Sequence, residues 1–334
     1  MKLFKLICSA ALAVSVAAGA HAQQQITLRF GHVVQPGHPI SLGAQKLAEI
    51  LAARSNGRIK LLEFGGGSIG GEAQQLSAVQ GGVQDITLPS ATIMGGVVKE
   101  FTLLDIPFSF SSAAQVDALL QGPFGELLMS KLPEKGLIGL DFWETGFRNF
   151  TNSRKPIVNV EDLKGLKLRV IPNPLFIESF SALGTNPAPM PFPELYQALE
   201  SRAMDAQENP YSVVLTSKFY EVQKYLSVTN HVYTANPVVI SKKTWEKLSA
   251  ADQQLVREAV KEAGAFQRKT SREDSAKARK ELESKMQVND VPPATLAKMR
   301  ELTQPIGEKF AASYDPNVVK VYRAELAKVH ASVK

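Results

Sequence analysis

The chain has 334 residues, 44% hydrophobic and 21% charged, with a formal net charge of +6. That length exceeds what one core usually fills, so two domains are expected, and the composition excludes disorder and collagen. One cysteine excludes a disulfide framework and a thiolate metal cluster, and so modest a charge argues little for nucleic-acid binding.

Residues 1–22 read as a secretory signal. Lys2 and Lys5 supply the positive start, residues 6–18 are apolar but too few to span a bilayer, and Ala20-His21-Ala22 is a small-x-small cleavage site. Cleavage after Ala22 would leave 334 less 22, or 312, residues; losing two lysines lowers the charge from +6 to +4. Cys8 would leave with the signal, and it lies too early in the apolar run to be a lipid-anchor cysteine. No later segment has 18 apolar residues in a row. The expectation is an exported, soluble, periplasmic protein.

Residues 26–33 alternate as a strand, Gly37-His38-Pro39 breaks it, and Leu42, Leu47, Ile50 and Leu51 space a helix over 41–54. Asn56-Gly57 turns the chain into a second strand, 59–64. A glycine-rich loop, 65–71, leads to a helix from Glu72, which Gly81-Gly82 stops before a third strand at 85–88. This β-α-β-α-β run predicts a parallel sheet flanked by helices. Strands follow at 136–142 and 166–171, with a turn at 162–165 between them. Helices are expected at 174–183 and 193–201, a short segment at 203–207 before Glu208-Asn209-Pro210, and strands at 225–229 and 237–241. Ser249 to Asp252 resembles a capping box opening a long helix, with a stripe of Leu255, Val256, Ala259, Val260 and Ala263. The charges from 269 to 285 read as its solvated continuation. The layout predicts a two-lobed α/β protein whose chain crosses between lobes more than once.

Residues 65–70 match GxGxxG for dinucleotides and, over the last five, GxSxG for a serine nucleophile. A run of glycines matches such patterns cheaply. Asp85 lies about 15 residues beyond the loop, short of the ~20 a dinucleotide site uses. Ser68 would need acid and base partners, for which His231 and His330 are the candidates. The simpler reading is a tight turn whose N–H groups line a ligand cleft. His32 and His38 are six apart, which fits no zinc spacing. Asn149-Phe150-Thr151 is a sequon by pattern only. In strand 166–171, Leu166, Leu168 and Val170 share one face and Arg169 takes the other, at the C-terminal end where open α/β sheets bind ligands. Arg148 follows Trp143 and Gly146. A guanidinium pairs with a carboxylate through two parallel hydrogen bonds, although spacing alone leaves both arginines readable as surface residues.

The chain resembles the DctP-type solute-binding proteins of TRAP (tripartite ATP-independent periplasmic) transporters. The resemblance spans the whole mature chain and rests on segments 30–33 (FGHV), 69–72 (IGGE), 162–169 (DLKGLKLR), 191–199 (PFPELYQAL), 205–210 (DAQENP), 218–225 (KFYEVQKY) and 229–231 (TNH), in order. It implies two α/β domains joined by hinge strands, a long helix across both, and a ligand between the lobes. Residues 23–145 with 233–275 would form domain I, and 146–232 with 276–334 domain II. It implies that Arg169 pairs with a ligand carboxylate, Arg148 assists, Asn209 hydrogen-bonds the ligand and Glu72 reaches its hydroxyls or amines. Ser90 matches a pocket position that is Glu in sialic-acid binders, and Val33 replaces a polar residue, so both point away from sialic acid. Phe192 and Trp143 match aromatic walls of the cleft.

A carboxylate at Glu72 only accepts hydrogen bonds, so the expected ligand is a hydroxylated monocarboxylate such as a sugar acid. Phe142, Trp143, Phe147 and Phe150, near Arg148, would also suit an aromatic acid, and a C4-dicarboxylate is a further alternative. The expected role is delivery of the acid to membrane permease subunits by a monomer, without enzymatic activity, cofactor, metal or nucleic-acid partner. The competing readings are an exported hydrolase using Ser68 and a ligand sensor.

Overall fold

The computed structural model describes residues 25–333, so the expected signal peptide and Cys8 lie outside the described residues. Eleven strands are present among them: β1 (Ile26–Gly31), β2 (Ile59–Phe64), β3 (Ile86–Thr87), β4 (Leu137–Phe147), β5 (Asn149–Asn152), β6 (Lys167–Val170), β7 (Asn186–Pro189), β8 (Ala206–Asn209), β9 (Tyr225–Val228), β10 (Tyr233–Ser241) and β11 (Gln287–Asp290). They form two sheets, one per lobe, in the orders β2-β1-β3-β10-β4 and β11-β9-β5-β8-β6-β7. The expected parallel core exists only in part. β1 is parallel to β2 and β3, but β10 runs antiparallel to both β3 and β4.

The chain crosses between lobes at Arg148, joining β4 to β5, and again over 229–232, joining β9 to β10. Every residue of β10 is buried. Val238 and Ile240 pack with Leu28, Phe30 and Val256 on one face of the first sheet; Ala235 and Val239 pack with Phe101 and Phe124 on the other. A strand covered on both faces reads as a continuous apolar run, which is why 237–241 was recognisable as a strand. Its start, Tyr233 to Asn236, carries no such run, because Thr234 and Asn236 face the cleft in alternation with the core residues Tyr233 and Ala235. β7 carries Pro187 and Pro189, which a sheet tolerates at an edge, where the missing N–H is not needed.

The helix Ala250–Glu283 has 34 residues, about 50 Å at 1.5 Å per residue, which lets it reach both lobes. Val256, Ala259, Val260 and Ala263 enter the first lobe's core, and Ala278 and Leu282 the second's. Its charged half is more than a solvated face. Arg268 pairs with Asp141 at 3.1 Å, and Arg272 with Glu144 at 2.7 Å and Asp117 at 2.8 Å, which staples the helix to β4 and a neighbouring helix.

Elements without a clear sequence signal include β5, β7, β11, the short helices between residues 91 and 130, and the helices Pro293–Ala312 and Pro316–Ser332. The last helix packs on the first lobe. Val318, Val319 and Tyr322 pack with Phe124 and Leu128 of the first lobe, rather than on the second.

Candidate functional site

The lobes face each other across a cleft. Asn173 Nδ2 donates to Thr92 O at 2.9 Å, and His38 Nε2 lies 3.1 Å from Ser212 Oγ. The glycine-rich loop nests against the opposite lobe so closely that a Cβ at Gly67 would sit 2.7 Å from Pro193 Cγ. These contacts bound a space of about 390 Å³, lined by Val33, Val34, Glu72 and Ser90 of the first lobe and by Arg148, Arg169, Ile171, Phe192, Asn209 and Val213 of the second. Thr145 of β4 and Thr234 and Asn236 of β10 complete it.

The two arginines are both buried, yet their surroundings differ. Arg148 forms a salt bridge with Glu208, whose Oε1 accepts from Nη2 at 2.8 Å. Its Nη1 donates to Thr234 Oγ1 at 3.0 Å and its Nη2 to Asn209 Oδ1 at 3.2 Å. The guanidinium also lies over the Phe176 ring, 6.0 Å from its centroid. Burial pushes the Glu208 carboxyl up, but Arg148 and hydrogen bonds from His231 and Arg148 outweigh it and hold the group below its ordinary range. Burial lowers the pKa of His231, so the imidazole is neutral near pH 7. Glu208 can only accept, so Nε2 carries the proton and donates to it at 3.1 Å, while Nδ1 accepts from Thr229 Oγ1 at 2.8 Å. Arg148 is thus committed to a structural network at the crossing between lobes.

Arg169 has no such commitment. Among the described residues its one hydrogen bond runs from Nε to Met190 O at 2.9 Å, and it has no ion pair. Its guanidinium lies 5.8 Å from the Phe192 ring centroid. Burial, then the nearby Arg148, lowers its pKa to about 10, so it still carries a full charge at neutral pH. A buried cation with no carboxylate in contact is costly, and the terminal amines of this cavity-lining residue form the fork that a carboxylate fits. β6 places it there. Leu166, Leu168 and Val170 enter the core beneath, so alternation turns Arg169 to the cleft.

Glu72 begins the helix Glu72–Gly81 and lines the same cavity. Ser90 Oγ donates to its Oε2 at 2.9 Å and Ser90 N to its Oε1 at 3.3 Å. Burial raises its pKa, while the Ser90 hydrogen bonds and both arginines oppose the rise. Ser90 therefore lines the cavity and also holds Glu72. Asn209 Nδ2 donates to Gln207 Oε1 at 2.5 Å, so part of its amide is already used.

The structure thus brings Arg169, Arg148, Asn209, Glu72, Ser90 and Phe192 to one cavity. Trp143 is not among its lining residues. It packs in the first lobe's core, edge-on to Phe30 at 5.9 Å, because its register on β4 turns it toward the helix Ala250–Glu283. The aromatic cluster near Arg148 dissolves likewise. Phe142 and Phe150 enter two different cores, and Phe147 packs on Tyr233 at 5.0 Å. Sequence reasoning missed Thr145, Thr234 and Asn236. Thr145 Oγ1 donates to Asn236 Oδ1 at 2.6 Å, and the run TAN in a strand carried no signal of a ligand site.

The weaker motifs take structural roles. Asn149 is buried, its Oδ1 accepting from Thr229 N at 2.9 Å and Asn230 N at 3.0 Å, so the sequon is closed to glycosylation in the folded chain. Asp85 accepts from Arg29 N and Thr244 Oγ1, both at 2.8 Å. Neither histidine considered for Ser68 is available to it: His231 is held by Glu208 and Thr229, and His330 lies 2.8 Å from Ser109 O. His32 pairs with Glu63 at 2.9 Å. Among the described residues no group of three or more His, Cys, Asp or Glu side chains is placed to hold a metal.

The family model for bacterial extracellular solute-binding proteins, family 7 (DctP), matches residues 30–313. The chain belongs to this family. As a DctP protein it is a TRAP solute-binding protein with the two-lobed fold of that group. It is 40% identical over 251 residues to the 2,3-diketo-L-gulonate-binding periplasmic protein YiaO of Escherichia coli, covering 75% of this chain and 76% of YiaO. A sugar acid binding protein from Advenella mimigardefordensis, solved with galactonate, is 38% identical, with a TM-score of 0.89 over 92% of this chain and 99% of that one. A TRAP solute-binding protein from Polaromonas, solved with D-erythronate, is 33% identical, with a TM-score of 0.85 over 93% and 100%.

Proposed function

We propose that this DctP protein binds a hydroxylated monocarboxylate, a sugar acid, in the periplasm and delivers it to the membrane permease of a TRAP transporter. The observation that carries the reading is Arg169: a buried guanidinium whose terminal amines have no protein partner among the described residues, in the same cavity as an acidic side chain. The ligand carboxylate pairs with Arg169, and Asn209 adds a hydrogen bond. Glu72, held by Ser90, accepts from ligand hydroxyls. Galactonate, D-erythronate and diketogulonate, named for three relatives, are all oxygenated monocarboxylates, which favours the same class here. The lobes act as two domains, the first built from 25–147, 233–275 and 316–332, the second from 148–232 and 276–312. They open and close about the strands at 145–149 and 229–236, and the ligand drives closure by binding the closed form more tightly. The protein acts as a monomer and as a carrier rather than an enzyme.

The test is a thermal-shift screen of the mature protein, refolded to strip carried-over ligand, against aldonates, uronates, C4-dicarboxylates and aromatic acids. A ligand that binds the folded state raises Tm by mass action. A rise with aldonates or uronates is expected. A rise confined to succinate or to aromatic acids would discard the sugar-acid class while leaving Arg169 as the carboxylate site.

A further inference from the structure

Three cavities meet at one side chain. The inner one is lined by Asn209 and, in common with the second, by Arg169, Glu72 and Ile171. A second, of about 770 Å³, opens between the glycine-rich loop and residues 191–194. A third, of about 810 Å³, opens on the other side, beside Gln35, Gly66 and Lys218. Phe192 is the one residue that lines all three. We propose that Phe192 is a partition that sets the upper length of ligand, confining the site to single-unit sugar acids and excluding those carrying a second sugar. This rests on the sugar-acid reading above.

The partition is stiff for local reasons. Phe192 stands between Pro191 and Pro193, whose rings hold φ near −65° on both sides of it. It opens a one-turn 3-10 helix, Phe192–Glu194, and the next residue, Leu195, is anchored in the second lobe's core. Its ring packs 5.9 Å from the ring of buried Phe219 and lies over the Arg169 guanidinium. The ring therefore travels with the second lobe. When the lobes meet, Gly67 and Gly71 come against Pro193 and Pro191, closing the rim around it. An acid anchored on Arg169 starts beside this ring, which is the wall common to both ways out of the inner cavity: it shares one border with Glu72, Arg169 and Ile171 and the other with Val33. Removing the ring joins the inner cavity to both clefts, and each already presents polar groups to a second sugar: Gln74 and Glu194 in one, Gln35 and Ser217 in the other.

The experiment is calorimetric titration of the unmutated protein, Phe192→Ala and Phe192→Val with aldonates of four to six carbons and with lactobionate, which is gluconate carrying one galactosyl unit. The unmutated protein should bind an aldonate at least 100-fold more tightly than lactobionate. Both variants should lose threefold to tenfold on the short acid and gain at least tenfold on lactobionate. Phe192→Val keeps the question answerable if Phe192→Ala does not fold. Equal binding of short and long acids by the unmutated protein would overturn the partition, as would variants that gain nothing on lactobionate. Absence of any aldonate binding by the unmutated protein, together with no uronate shift in the thermal screen, would instead overturn the sugar-acid reading, and that failure is seen without any variant.

Discussion

Replacing Arg169 with alanine separates binding from folding. Two parallel charge-assisted hydrogen bonds to a carboxylate are worth about 1.5–3 kcal/mol each, so about 3–6 kcal/mol leaves with the guanidinium. At 1.4 kcal/mol per decade this weakens Kd by roughly 10²–10⁴-fold. The ligand-free protein should barely notice. It loses one hydrogen bond to Met190 O, about 1 kcal/mol, and the contact with Phe192, about 0.5–1 kcal/mol. Against this, it no longer buries a charge that lacks a counter-ion, so the terms offset and Tm should move by no more than about 2–4 °C. Arg148→Met is the counterpart. It leaves Glu208 fully buried without its guanidinium, which costs about 3–5 kcal/mol. Calorimetry gives Kd, and a thermal melt without ligand gives stability. Binding by Arg169→Ala within tenfold of the unmutated protein would refute the carboxylate role. A loss of stability equal to that of Arg148→Met would refute the claim that Arg169 stands outside the structural network.

Three further outcomes follow from the same geometry. Glu72→Gln keeps the shape and one acceptor but removes the negative charge, so affinity for polyhydroxy acids should fall about tenfold while that for succinate rises; an unchanged ligand profile by thermal shift would count against Glu72 as the hydroxyl acceptor. Gly67→Ala should raise Kd at least tenfold, because the added methyl meets Pro193 at 2.7 Å and prevents full closure, while the positive φ of 70° costs about 1–2 kcal/mol of stability; unaltered affinity would show that closure does not need this contact. Asp105 is fully buried, and its two carboxyl oxygens have no hydrogen-bond partner among the described residues. Burial pushes its pKa up to about 8 from 3.8, so the group's favourable contribution is full below about pH 4 and lost as pH rises through about 8. Asp105→Asn removes that titration, and its Tm advantage over the unmutated protein should grow from pH 5 to pH 9; a constant difference would mean that Asp105 is not held neutral.

Much of the molecule was legible because its causes are local. The first β-α-β-α-β run showed in alternation, helical spacing and glycine stops, each set by neighbouring residues in the chain. The alternation Leu166, Leu168, Val170 told which way Arg169 faces, and the capping residue Ser249 marked the start of the long helix, where its side chain accepts from Asp252 N. The segments shared with DctP proteins carried the class of function. Elements held in place by distant partners were harder to see. β7 has two prolines and little strand propensity, and it is a strand because an edge position beside β6 accommodates them.

The amino-acid order alone determined the two-lobed α/β class, the turn of Arg169 away from the core and a family whose members bind solutes, because periodicity, caps and motifs act over a few residues. Only the tertiary structure decided that Arg148 belongs to Glu208 and Thr234, that Ser90 holds Glu72, that Trp143 is core, and that Phe192 stands where three cavities meet. Arg148 and Glu208 lie 60 positions apart, and Arg148 and Thr234 86. A hydrogen bond depends on distances of about 3 Å in space, and no spacing along the chain reports those until the two sheets have been placed against each other.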